Sequence, residues 1–215
     1  MKSNFYKLSL YLAGFLLLLV SCKPLATQYE EDEITDAEYY EAVEKTPVPQ
    51  PDSAVRAMTW NIRFGIGRSE WFGDACSNIT VYSQEDVYPH LDAVVAKINE
   101  IKPDILLLQE VDINSKRTSY INELQYILDN TYFNYAAYVP EWCAQNIPSD
   151  GLGRMDMGLA ILSPWPISDA QRVQLALRGD QSGIEVYFYL RSCMITASIQ
   201  IPGFEELSVV NIHAS

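Results

Sequence analysis

Between Val87 and Lys102, apolar residues fall at Val87, Leu91, Val94, Val95, Ile98 and Ile101, the spacing of one helix face. Pro103 ends that helix. Ile105-Leu106-Leu107-Leu108 follows, a continuous apolar run within Asp104–Val111, as expected of a strand buried on both faces. A second stripe, Tyr120, Ile121, Leu124, Ile127 and Leu128, predicts a helix over 119–130 capped by Thr118 or Ser119. Val55–Phe64, Phe133–Val139, Gly158–Ser163, Ile167–Leu175 and Leu207–Ile212 read as strands. Glu185–Ile201 alternates apolar and polar positions and reads as one half-buried strand, bent near Ser192. Residues 65–85 and 140–157 read as long loops. The order β-α-β-α-β, then several strands, predicts mixed α/β architecture with helices on one face of a sheet. Nothing left in the chain is expected to cover the other face.

The first 21 residues stand apart from this pattern. Lys2 and Lys7 precede an apolar stretch, Leu8 to Val20, too short for a typical membrane span. Leu19-Val20-Ser21-Cys22 resembles a bacterial lipobox, which implies cleavage before Cys22 and lipidation of its thiol. An ordinary signal peptide or an uncleaved anchor are the competing readings. Residues 22–54 read as a solvated tether. Residues 23–54 hold nine acidic and two basic residues, and Pro47-Val48-Pro49-Gln50-Pro51 is stiff. Residues 55–215 form the predicted domain.

Charge narrows the partners. The whole chain sums to −13, and residues 55–215 alone to −8. Such a domain is repelled by nucleic-acid phosphate, so bulk duplex binding is disfavoured, though a local basic cleft is compatible with it. Besides Cys22 there are Cys76, Cys143 and Cys193. Cys76 and Cys143 fall in loop-like sequence and could pair if the protein is exported, while Cys193 fits a strand core. No Cys-x-x-Cys occurs, so zinc knuckles and thioredoxin-type sites find no support.

Three predicted strands end in polar side chains: Asn61, Glu110 and His213. An unpartnered acid at the end of a buried strand is costly, and Mg²⁺ is a natural oxygen-loving partner. Position alone equally allows Glu110 to be a rim residue already in water. Asn61 can offer oxygen to a metal or an amide to phosphate; otherwise it closes a turn. The His213 imidazole can hydrogen-bond a phosphoryl oxygen or move a proton, or it can be structural. Arg63, Arg117, Arg154 and Asp156 lie on loops flanking these strand ends, where an arginine can clamp phosphate or simply be a surface charge. His90 reads as a structural residue of the first helix.

Met58-Thr59-Trp60-Asn61-Ile62, Pro103 to Asp112, Gly158-Leu159-Ala160-Ile161-Leu162-Ser163 and Val209-Val210-Asn211-Ile212-His213, in this order, resemble the endonuclease/exonuclease/phosphatase (deoxyribonuclease-I-like) family. The resemblance implies the first half of a four-layer α/β sandwich with an incomplete second sheet. It implies Glu110 and Asn61 as metal ligands for Mg²⁺ (or Mn²⁺), and His213 and Asn61 as catalytic. Leu159 stands where many members carry Asn, which puts a phosphate contact there in doubt. The Gly-Asp-x-Asn and Asp-His motifs that normally follow are absent; only Ala214 and Ser215 come after His213. The expectation is therefore a C-terminally truncated, lipid-anchored, metal-dependent phosphoesterase, inactive as this chain. It would sit in a bacterial cell envelope and act on a phosphoester of unknown identity. The alternative is a non-catalytic surface lipoprotein that uses the scaffold for binding.

Overall fold

The computed structural model describes residues 25–51, 54–73, 77–147, 151–177, 179, 183–188, 190–204 and 206–213. Among these residues, nine strands lie in two sheets. They are β1 (Ile34–Asp36), β2 (Glu38–Glu41), β3 (Ala57–Asn61), β4 (Ile105–Asp112), β5 (Tyr135–Ile147), β6 (Gly151–Ser163), β7 (Ile167–Gln174), β8 (Cys193–Ile199) and β9 (Leu207–Ile212). The first sheet has the order β2-β5-β6-β4-β3 and the second β1-β7-β8-β9. Among the described strands only β3 and β4 pair in parallel, which needs the crossover that the helix between them supplies.

That helix, α1 (Gln84–Ile101), begins three residues before the apolar stripe. Ser83 caps it: the Ser83 hydroxyl accepts from the Asp86 amide and the Asp86 carboxylate accepts from the Ser83 amide. Val87, Leu91, Val94 and Ile98 form its buried face. The expected second helix is shorter. Lys116–Thr118 is a 3-10 turn, and α2 (Glu123–Asp129) starts at Asn122, whose side chain accepts from the Gln125 amide. Both helices pack on one face of the first sheet, against Leu106, Leu108, Tyr138, Ala160 and Leu162.

The other face of that sheet is covered, contrary to expectation. Ile105, Ala137, Val139, Leu159 and Ile161 meet Cys193, Ile195, Ala197 and Ile199 of the second sheet, with Trp165 buried between. The extended segments 167–174, 193–199 and 207–212 thus make their own sheet. They close a sandwich with alternate residues facing inward.

Several boundaries also move. The predicted 140–157 loop is a long hairpin in which Trp142 pairs with Met157 and Ile147 with Gly151. Glu185–Ile201 is not one strand: a short helix, α3 (Ile184–Phe188), precedes β8.

The largest departure is the segment read as a tether. β1 pairs antiparallel with β7, and β2 antiparallel with β5, so a single run supplies an edge to each sheet. Ala37, between them, is buried and its amide bonds the Ala170 carbonyl at 3.0 Å. Upstream, Ala26 bridges Ala144, and the Tyr29 ring lies 3.5 Å from the buried Arg172 guanidinium. Acidic side chains do not oppose this, because edge strands keep one side in water. Cys22 lies outside the described residues. Among those residues, no helix is long and apolar enough to cross a membrane.

Candidate active site

β4 carries a bulge that aims Glu110. Its register against β6 shifts between Leu108 and Val111, and Glu110 has φ +56°. In a regular strand Glu110 would follow Leu106 and Leu108 into the helix-covered core. The extra residue lets Val111 take that place instead and turns Glu110 to the sheet's end. A left-handed non-glycine residue inside a strand is a costly conformation of the kind that collects at functional sites.

The bulge also frees backbone groups, and Asn211 meets them. Its side-chain amide donates to Leu108 O at 2.8 Å and Ala160 O at 3.0 Å, and its oxygen accepts from Gln109 Nε2 at 2.7 Å. Asn211 is buried. It joins the sheets two residues before His213 and so sets where His213 emerges.

Three strand ends converge. Asn61 Nδ2 donates to Glu110 Oε1 at 2.8 Å and lies 3.4 Å from His213 Nε2. His213 Nε2 is 3.7 Å from Glu110 Oε1. The Asn61 oxygen accepts from the Arg63 amide at 2.8 Å, so Asn61 presents its nitrogen, not its oxygen, to Glu110 and His213. On the far side of the imidazole, Nδ1 lies 3.7 Å from Glu141 Oε2. Glu141 is buried and that oxygen has no hydrogen-bond partner. Burial pushes the Glu141 carboxyl above its usual value, with His213 opposing. The Glu141 carboxylate in turn holds the His213 imidazole above its usual value, against its own partial burial. Both shifts favour the protonated forms of the pair. Sequence reading missed Glu141 because it was assigned to a loop; only the extension of β5 brings it here.

A cleft of about 630 Å³ opens beside Asn61 and Glu110, lined also by Trp60, Arg63, Arg68, His90 and Lys97. The Arg63 guanidinium donates to the Gly67 and Ser69 carbonyls, which fastens the loop after β3 at the cleft's wall. His90 Nε2 lies 3.2 Å from Ser69 Oγ, a structural contact at the same wall.

The other sequence candidates lie elsewhere. Arg117 is 1% exposed. It is bidentate to Asp112, at 2.8 and 2.7 Å, and stacks 3.5 Å from the Phe64 ring. Its fork is spent on a buried carboxylate, so it is a core residue and not a phosphate clamp. Glu123 joins this group: its Oε2 accepts from the Asp112 amide at 3.0 Å, and burial pushes its carboxyl well above the usual range. Gly65, at φ +62°, lets the backbone approach Glu123, since a Cβ there would stand 2.8 Å from Oε1. Arg154 and Asp156 pair with each other at 2.6 Å, and Asp156 also accepts from Tyr138 at 2.8 Å. Leu159 is buried core. Cys143 and Cys193 are free thiols, and burial pushes Cys193 up to about 12. Cys76 lies outside the described residues.

Comparisons with known proteins bear on the fold. An endonuclease/exonuclease/phosphatase from Beutenbergia cavernae DSM 12333 is similar, with TM-score 0.50 and 19% identity over 75% of this chain and 38% of that one. The human Nocturnin catalytic domain gives TM-score 0.45 and 15% identity over 81% of this chain and 51% of that one. ANGEL2, described as a 2′,3′-cyclic phosphatase, gives TM-score 0.48 and 16% identity over 83% and 44%. This chain thus spans about half or less of the length of these structures. No curated protein matches it. Residues 58–191, more than half of the chain, match the Endonuclease/Exonuclease/phosphatase family, and the chain belongs to that family.

Proposed function

We propose that the protein is a divalent-metal-dependent phosphoesterase held to a bacterial membrane through lipidated Cys22. The observation that carries the reading is the meeting of Asn61, Glu110 and His213, from three strands on two sheets, at the mouth of a cleft with cationic walls.

The donor set suits a hard cation. Among the described residues no group of three or more His, Cys, Asp or Glu side chains is placed to hold a metal ion, so a site here would rest on one carboxylate with water and substrate oxygens. Mg²⁺ binds through one or two carboxylates and keeps water and substrate oxygens for the rest. Glu110 is the carboxylate that would hold it. When bound, the ion would polarise a phosphoryl oxygen. Asn61 steadies Glu110 and offers an N–H towards the same space. His213, whose imidazole the Glu141 carboxylate holds above its usual value, would donate to the phosphoryl oxygen on which negative charge grows. Arg63, on the cleft wall, is positioned to attract the phosphate's charge. Arg117, Arg154 and Asp156 have no part in this reading.

The ligand is a phosphoester; the negative domain argues against bulk duplex nucleic acid. Hydrolysis of a generic phosphodiester, with and without Mg²⁺, tests the reading. In a protein completed with the family's Gly-Asp-x-Asn and Asp-His motifs, turnover should need the ion and should fall at least about 10²-fold in Glu110→Gln and in His213→Ala, each still folded, while this chain alone should turn over little. Near-normal turnover in either variant removes that residue from the catalytic set. Metal binding without turnover in the completed protein favours a binding module on the same scaffold.

A further inference from the structure

Residues 25–27 dock beside β5 in a definite direction. Gln145 N donates to Leu25 O at 2.7 Å, Thr27 N donates to Cys143 O at 2.8 Å, and Ala26 bridges Ala144 antiparallel. β5 and β4 are both antiparallel to β6, so β5 runs the same way as β4 and β3. Its last residues therefore extend past the end of the sheet where Asn61 and Glu110 sit. Because residues 25–27 run against β5, the chain enters the domain at that end.

Two exposed leucines mark the same end. Leu25 is 49% exposed; Leu152, paired with Asn146 on the projecting hairpin, is 76% exposed. Beneath them Ala26, Ala144 and Met155 pack with Trp142, Tyr187 and Phe188, and Gln28 Nε2 donates to Tyr187 O at 2.9 Å, so the docked segment is seated on a small core. Lys116 Nζ donates to Leu152 O at 3.3 Å, which puts an ammonium beside the leucine. The opposite end of the domain carries Lys102, after α1, and Asp104, before β4, and also exposes Val43 and Ile101; it is the place where the chain enters that sets the two ends apart.

This bears on Cys22, and the inference rests on the lipidation proposed above. Three peptide steps separate Cys22 from Leu25, at most about 11 Å of extended chain. A free tether of some thirty residues would reach about 100 Å. Most of that length is instead spent on β1, β2 and the docked segment. We propose that the acylated protein rests on its own bilayer with the Asn61–Glu110–His213 end turned to the lipid. Leu25 and Leu152 enter the interfacial layer, as a second attachment beside the acyl chain. Phosphoester headgroups of that bilayer then lie within the site's reach.

The full chain, expressed in a bacterial host and reconstituted in phosphatidylcholine vesicles containing brominated lipid, tests this. A fluorophore is attached at Leu152→Cys or at Lys102→Cys, with Cys76 and Cys143 replaced by serine and thermal unfolding checked for each variant. The Leu152 label should be quenched several-fold more than the Lys102 label. Equal quenching, or more at Lys102, in protein that carries labelled fatty acid overturns the orientation and leaves the anchor intact. Absence of fatty-acid label from wild type, or its persistence in Cys22→Ala, overturns the anchor and this inference together.

Discussion

Asn211, on the second sheet, donates its side-chain amide to the backbone oxygen of Leu108 on the first, at 2.8 Å. The same side chain serves Ala160 O and accepts from Gln109, so one residue satisfies groups freed by the bulge that turns out Glu110. Leucine at this position fits the volume but leaves two buried backbone oxygens, Leu108 O and Ala160 O, short of a partner, while Gln109 Nε2 keeps Thr59 Oγ1 and Leu107 O. Asn211→Leu should cost about 3 kcal/mol of stability by urea unfolding. A loss below about 1 kcal/mol would mean that the bulge is held by other contacts.

The buried Asp112–Arg117–Glu123 group sets a pH dependence. Arg117 is bidentate to Asp112, Glu123 takes the Asp112 amide with its Oε1 unpartnered, and burial, with the Asp112 charge beside it, raises the Glu123 carboxyl well above its usual value. A raised acid costs nothing below its unfolded pKa of about 4.3. Its penalty grows as pH rises from there through the folded value, because the folded state resists losing that proton. Glu123→Gln keeps a side-chain carbonyl to accept from the Asp112 amide and removes the ionisation. Wild type should lose stability with rising pH across this window more steeply than Glu123→Gln, measured as urea midpoints from pH 4.5 to 8. Parallel pH profiles would show that Glu123 is not the group responsible.

The N-terminal segment should behave as folded structure. The Ala37 amide bonds Ala170 O, and the Thr27 amide bonds Cys143 O. Both should be protected against hydrogen exchange by factors comparable to those of β7 and β5 themselves. Exchange at unfolded-chain rates would return residues 25–41 to the status of a solvated tether.

What could be read without the structure followed the strength of local periodicity. α1 was legible from Val87, Leu91, Val94 and Ile98, while its true start was not, because Ser83 and Asp86 carry no apolar signal. β4 was legible from a single apolar run. Asn61, Glu110 and His213 were visible as polar residues at strand ends. The bulge behind Glu110 was not visible, since a left-handed residue inside Gln109-Glu110-Val111 leaves no mark in side-chain pattern. Glu141 stayed hidden because its role depends on β5 continuing past Pro140 to meet β6 and His213. Arg117 looked like a surface charge because its partners, Asp112 and Phe64, become neighbours only through the 3-10 turn and the loop after β3. β1 and β2 were missed for a related reason. They are three and four residues long, polar on one side, and paired with strands more than ninety residues away.

On the proposed reading, Glu110, steadied by Asn61 and facing His213, would hold a divalent ion at the cleft. Mn²⁺ binding, followed by water-proton relaxation on the purified chain, tests it without reliance on turnover. Wild type should bind one Mn²⁺ at this site, displaceable by Mg²⁺. Glu110→Gln should weaken binding at least about tenfold, about 1.4 kcal/mol, with thermal unfolding unchanged. Mn²⁺ binding in Glu110→Gln equal to wild type would contradict the account.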